Sequence, residues 1–161
     1  MEIEIREAKS QDQTSVLTWL SDPELLPFLQ TEKGREVKDL AQFWVSPQKP
    51  SLSFIATIKK KPVGILVIFA SDYNKITHWA FCTLLVAKNK RGCGVAKALL
   101  QAADLWAKKR GCERLIMELY ESPFTQAFEK LGFKPYATQE GYVKVEGGYL
   151  SRTLFARSAL C

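Results

Sequence analysis

One stretch limits the possible folds more than any other: Leu84 to Gly111, "LLVAKNKRGCGVAKALLQAADLWAKKRG". An apolar, strand-like end runs into a basic turn broken by two glycines, and an amphipathic helix starts at once. Val95, Leu99, Ala102 and Trp106 are spaced to give that helix a buried side, and Gly111 is placed to stop it. The positions leading in are Arg91, Gly92, Cys93 and Gly94, where a Ser, Thr, Asp or Asn would normally accept the first free backbone N–H groups. The helix therefore needs an acceptor that its own cap does not supply.

The charge points to the same place. Between Lys88 and Arg110 there are seven basic residues against Asp104 alone, which accounts for the whole formal charge of +6. Lys108, Lys109 and Arg110 complement the negative end of the helix dipole. Lys88, Lys90 and Arg91 sit at the positive end, where cations are unfavourable unless an anion joins them. With pI ≈ 9.2, a nucleic-acid surface is a competing reading. Cations gathered in one segment fit a localised polyanion better than a broad nucleic-acid face.

The rest of the chain reads as one mixed α/β domain spanning residues 1–161. Ile3 and Ile5 alternate with charges as a short strand, and 10–20 carries a helical stripe with Ser10 as a candidate cap. "SDPELLPFL" reads as a short or kinked helical piece because of Pro23 and Pro27, and a further helix is expected over Glu36–Val45. Two strands from Ser53 onward join at the lysine-rich turn Lys59–Lys61. A third, Ile76–Val86, leads into the glycine turn. "RLIMELY" follows with Leu115, Met117 and Leu119 on one face, then a short helix over Thr125–Leu131 and two closing strands, Tyr142–Val145 and Leu150–Ala156.

No apolar run approaches the ~20 residues of a membrane-spanning helix, and the N-terminus does not read as a signal peptide. Cys82, Cys93, Cys112 and Cys161 form no C-x-x-C pair, so reduced thiols, no metal site and a cytoplasmic setting are expected.

In Arg91-Gly92-Cys93-Gly94-Val95-Ala96 the glycines let several N–H groups point one way, and the helix adds its positive end. That is a cradle for a diphosphate, although a plain glycine turn would give the same pattern. A Walker loop is excluded because Lys97 is followed by Ala98 rather than Ser or Thr, and a dinucleotide fingerprint is broken at Lys97.

The run "LLVAKNKRGCGVAKALLQAADLWAKKRGCERLIMEL" resembles the coenzyme A signature [QR]-x-x-G-x-[GA] of the GNAT superfamily, the acyl-CoA-dependent N-acyltransferases; Arg91, Gly94 and Ala96 carry the match. "AFEKLGF", Ala127–Phe133, resembles the family's second signature. The resemblance covers residues 53–156. It implies a central, mostly antiparallel, twisted sheet of about six or seven strands flanked by about four helices. It also implies a V-shaped splay between the strands at 76–86 and 114–120.

By the same resemblance, Leu84, Leu85 and Val86 lie along the pantetheine arm, while Arg91, Gly92, Cys93, Gly94, Val95, Ala96 and Lys97 hold the pyrophosphate. Phe128 also contributes to that cofactor site. Glu118 becomes the candidate general base for an attacking amine, with a solvent-facing or lysine-paired Glu118 as the competing reading. Many family members have Tyr where this chain has Phe128, and Phe has no proton for a departing thiolate. A thiol pKa of ~8.5 limits the cost of that loss to at most ~10²–10⁴-fold. Tyr120, Tyr136 and Tyr142 are substitute acids or packing residues, and His78, the only histidine, is a second base candidate or a structural residue. Trp79, Phe81, Phe124, Phe128 and Tyr142 are candidates to line an acceptor pocket.

The function expected is acetyl transfer from acetyl-CoA to a primary amine of a small molecule or protein, by a monomer or homodimer without membrane or nucleic-acid partners. The alternative is a coenzyme A-binding protein of the same fold, regulatory or interacting, with weak or no catalysis.

Overall fold

The computed structural model describes residues 1–159; Cys161 lies outside them. The backbone forms β1 (Glu4–Glu7), α1 (Gln13–Leu20), α2 (Arg35–Val45), β2 (Leu52–Ile58), β3 (Lys61–Phe69), β4 (Trp79–Val86), α3 (Val95–Arg110), β5 (Arg114–Tyr120), α4 (Thr125–Lys130), β6 (Lys134–Val145) and β7 (Gly148–Ser158). The strands make one open sheet in the order β1-β2-β3-β4-β5-β7-β6. Every neighbour pair is antiparallel except β4 with β5, which are parallel.

The layers follow from side-chain alternation. Ala56, Leu66, Ile68, Leu115 and Met117 point to the face covered by α3, where Val95, Leu99, Leu100, Ala103 and Ala107 are buried. Ile55, Ile65, Val67 and Leu85 point to the other face and bury Val16 and Leu20 of α1 and Val37, Ala41 and Trp44 of α2. Strands buried on both faces read as near-continuous apolar runs, as β3 does. The turn between β2 and β3 puts Lys59 and Lys60 at positive φ, so the expected lysine turn is a tight one.

Several expected boundaries move. The third strand starts at Trp79, because 74–78 forms a turn in which Thr77 Oγ1 donates to the Asn74 carbonyl. Ser10 caps nothing. The Asp12 carboxylate instead accepts the Lys9 N–H at 2.8 Å and both terminal nitrogens of Arg6, at 2.7 and 2.8 Å. "SDPELLPFL" yields only a short 3-10 turn at Leu26–Phe28. The buried side of α3 is rotated from the expected stripe: Ala103, Asp104 and Ala107 are inside, with Ala102 and Trp106 half-buried. The closing strands are longer than expected. β6 is an edge strand exposed along most of its length, so residues 134–141 carry no apolar alternation to announce it.

Candidate active site in the splay of the sheet

β4 and β5 pair only through Trp79↔Arg114, Ala80↔Leu115 and Phe81↔Ile116. Beyond Phe81, β4 stays in register with β3 as far as Val86 while β5 follows β7. The strands therefore diverge, and the V opens toward the glycine turn. The Ala87 N–H donates to the Val63 carbonyl, so by alternation the backbone groups of Leu84 and Val86 face away from β3, into the gap. The Val86 carbonyl accepts the Arg91 Nε–H at 3.4 Å.

At the open end, Gly92 and Gly94 adopt φ of 76° and 83°, the left-handed region that glycine reaches without strain. α3 begins without a side-chain cap, and its first backbone bond runs from the Ala98 N–H to the Gly94 carbonyl. Among the described residues nothing accepts the N–H groups of Val95, Ala96 and Lys97. Three aligned donors at a helix N-terminus, beside Lys90 and Lys97, suit a diphosphate. Gly64 lets the start of α3 lie close to the sheet, since a Cβ there would stand 2.9 Å from Val95 Cγ1 and 3.1 Å from the Leu85 carbonyl oxygen.

Lys88 pairs with Glu24 at 2.6 Å, and Arg91 lies 3.9 Å from Asp22, so carboxylates following α1 supply part of the anion that these cations require. Arg91 is also held over the Phe124 ring at 4.9 Å. The Lys90 and Lys97 ammonium groups have no partner among the described residues and keep the charge argument alive.

A cleft of about 510 Å³ passes through the splay. It is lined by Leu84, Leu85, Val86, Arg91, Gly92, Gly94, Val95, Ala96, Lys97, Glu118 and Phe128, which are the expected cofactor residues apart from Cys93 together with the first candidate base. The Cys93 side chain is exposed outside it. Leu84, Val86 and Met117 belong to the α3 face, whereas Thr83, Leu85, Glu118 and Tyr120 point to the face bearing α1 and α2.

On that second face each carboxylate oxygen of Glu118 has one partner, which leaves a further acceptor position on each. Arg152 Nε stands 2.6 Å from Oε2, an ion pair whose N–H is not aimed at the oxygen. The Tyr120 hydroxyl lies 2.7 Å from Oε1 and 3.2 Å from Gln30 Oε1; its single proton goes to the nearer, charged acceptor. Burial, and then this bond to Glu118, push the Tyr120 phenol above its ordinary range, so it stays protonated at any working pH. Tyr120 stacks on Tyr142 at 5.8 Å, and Arg152 covers Tyr142 at 4.8 Å. Glu118 thus pairs with an arginine, whereas its competing reading was a lysine partner or solvent.

Phe128 is buried edge-on against Phe133, with ring centroids 6.4 Å apart. His78 sits at the closed end of the V, where its carbonyl accepts the N–H groups of Glu113 and Arg114, and it does not line the cleft. Of the aromatic candidates for an acceptor pocket, Phe124 and Phe128 line it while Trp79, Phe81 and Tyr142 do not; of the substitute acids, Tyr120 lines it while Tyr136 and Tyr142 do not. Sequence reasoning missed Asp22, Glu24, Gln30 and Arg152, which no local pattern announces because each reaches the site from a distant segment.

This arrangement of parallel but diverging strands, with an uncapped helix across their open end, has relatives. The acetyltransferase (GNAT) family model matches residues 14–133, and the chain belongs to that family. An N-acetyltransferase from Staphylococcus aureus Mu50 is 18% identical with a TM-score of 0.79, covering 99% of this chain and 100% of that one. A ribosomal-protein-alanine N-acetyltransferase from Brucella melitensis is 18% identical, also at 0.79, covering 96% and 99%. The yncA protein of Salmonella typhimurium, solved with its cofactor acetyl-CoA, is 13% identical at 0.79 and covers 100% and 96%. At these identities the likeness shows the fold. No curated protein matches the chain.

Proposed function

We propose that this chain is a single N-acetyltransferase domain, residues 1–161, that moves the acetyl group of acetyl-CoA onto a primary amine by direct attack in the cleft. The observation that carries the reading is the set of unoccupied N–H donors at Val95, Ala96 and Lys97, at the open end of a gap that exposes strand backbone. Gly92 to Lys97, with Lys90, would hold the pyrophosphate, and the gap-facing backbone of Leu84 and Val86 would pair with the pantetheine amides. Bound acetyl-CoA supplies a thioester carbon open to attack and a thiolate that leaves with the C–S electron pair.

The protein must first take a proton from the ammonium form of the amine, whose pKa is near ~10 in water; the nitrogen sheds its second proton to water as the amide forms and the C–S bond breaks. Among the described residues Glu118 is the only carboxylate lining the cleft, and it is assigned that role. Arg152 and Tyr120 fix its orientation. Phe128 contributes packing alone, so the thiolate leaves unprotonated or takes its proton from solvent. No helix among the described residues is long and apolar enough to cross a membrane. The free thiols Cys82, Cys93 and Cys112 suit a reducing, cytoplasmic setting, and we place the chain there as a monomer or homodimer.

A second reading is favoured by the same Phe128 and by the pairing of Glu118 with Arg152: a coenzyme A-binding protein with little turnover. Thiol release from acetyl-CoA decides between them. Amine-dependent release well above the protein-free rate supports transfer. Tight acetyl-CoA binding with no release across a broad amine and peptide panel supports the second reading, and absence of acetyl-CoA binding defeats both.

A further inference from the structure

The two faces of the cleft differ in chemistry. On the α3 side the turn carries Lys90, Arg91 and Lys97, with Lys130 nearby. On the side of α1 and α2 the wall is apolar and largely aromatic: Phe28, Leu29, Leu40, Phe43, Trp44 and Phe69. Phe43 is 48% exposed, and its ring stacks on Phe69 at 5.7 Å and 13°. Stacked rings left open to a cleft form a ready surface for another flat apolar group. Glu118, on the same face, is the one carboxylate in the lining among the described residues, and one of its oxygens faces Arg152.

We infer that the acceptor is a monoamine with an apolar, preferably aromatic, body: its nitrogen reaches Glu118 while its body lies against the Phe43–Phe69 wall. This rests on the acetyl-transfer reading and narrows it to a substrate class. Charge complementarity sets the orientation. With acetyl-CoA bound, its pyrophosphate fills the end held by Lys90 and Lys97, leaving Glu118 as the place for the acceptor's ammonium. A polyamine would carry further charges into an apolar wall, where each is unfavourable without a partner. The exposed carboxylates of Glu32 and Glu36 line a separate polar recess beyond Gln30. A polyamine would need to reach them, which makes it the proper contrast probe.

The test compares phenethylamine with spermidine at saturating acetyl-CoA, in the wild type, Phe43→Ala and Phe43→Leu, by thiol release. The inference expects kcat/KM for phenethylamine at least ~10-fold above spermidine. It also expects Phe43→Ala to raise the phenethylamine KM ~10-fold, Phe43→Leu to recover part of that loss, and the acetyl-CoA KM to stay unchanged. Preference for spermidine, or a phenethylamine KM indifferent to Phe43→Ala, overturns it. If hexanoyl-CoA outperforms acetyl-CoA with every amine and Phe43→Ala removes that advantage, the wall belongs to the acyl chain and the inference fails. Calorimetry of phenethylamine with the coenzyme A-loaded protein gives a readout independent of turnover. Saturable binding weakened by Phe43→Ala supports the pocket, and no binding refutes it. Failure of acetyl-CoA to bind at all is a different result, which defeats the acetyl-transfer reading itself.

Discussion

Replacing Gly94 by alanine tests whether the shape of the glycine turn, rather than its charge alone, holds the pyrophosphate. Gly94 has φ of 83°, and nothing lies within 4 Å of a Cβ built on it, so the substitution adds torsional strain without a clash. An L-residue held in that region costs about 1–2 kcal/mol. In the free protein the turn sheds this strain by leaving the left-handed conformation, which misaligns the amides of Val95 to Lys97. Binding must restore the alignment and so costs about 1–2 kcal/mol, a fall in coenzyme A affinity of ~5–30-fold.

Gly147 supplies a matched control. Its φ is 82°, a Cβ there is equally unopposed, and it lies in the β6–β7 turn away from the cleft. Gly147→Ala should lower Tm by about 2–8 °C and leave the coenzyme A Kd unchanged. Calorimetric titration of both variants with coenzyme A decides the matter. Wild-type affinity in Gly94→Ala, or equal losses in both variants, would refute the reasoning.

Glu118→Gln keeps the shape of the side chain but removes its capacity to take a proton, so kcat/KM for an amine should fall ~10²–10⁴-fold. The acetyl-CoA Kd should stay constant, and an unchanged pH–rate profile would move the base elsewhere. Gly64→Ala would press a methyl group 2.9 Å from Val95 Cγ1 and 3.1 Å from a backbone oxygen, pushing the start of α3 off the sheet. Thermal and denaturant unfolding should show a loss of about 1–3 kcal/mol, together with weaker coenzyme A binding. Burial of Asp12 raises its pKa, but the bonds from Arg6 and the Lys9 N–H outweigh that and leave it below its ordinary 3.8. A depressed folded-state value gives stability that is complete above that ordinary value and lost as pH falls through the folded one. Asp12→Asn should therefore be less stable at pH 7 and show a flatter decline between pH 4 and 2 in urea titrations run across that range.

How much of this was visible in the sequence varies by element, for physical reasons. The turn from Arg91 to Lys97 was legible because glycine spacing, a missing cap and local charge are all short-range signals. The splay was legible only through the family resemblance, since divergence of two strands leaves no mark on either one. The buried side of α3 was misread because the expected stripe of Val95, Leu99, Ala102 and Trp106 leaves no place inside for a charged Asp104. Arg157, 53 residues later, reaches back with Nη2 2.6 Å from both carboxylate oxygens and takes that charge inside. Placing Asp104 inward rotates the apolar stripe onto Ala103 and Ala107. The charged partners Arg152, Glu24 and Asp22 of Glu118, Lys88 and Arg91 were invisible for the same reason, because each comes from a segment distant in the chain. β6 went undetected over residues 134–141 because its backbone pairing with β7, not an apolar face, makes it a strand.

The most direct test of the central claim follows the backbone amides themselves. Titrating isotope-labelled protein with coenzyme A and recording amide shifts should move the N–H signals of Gly92 to Lys97 saturably, with one Kd, while Gly111 at the other end of α3 stays in place. If those amides remain still at saturation while signals elsewhere shift, the diphosphate lies outside the turn and the account is wrong.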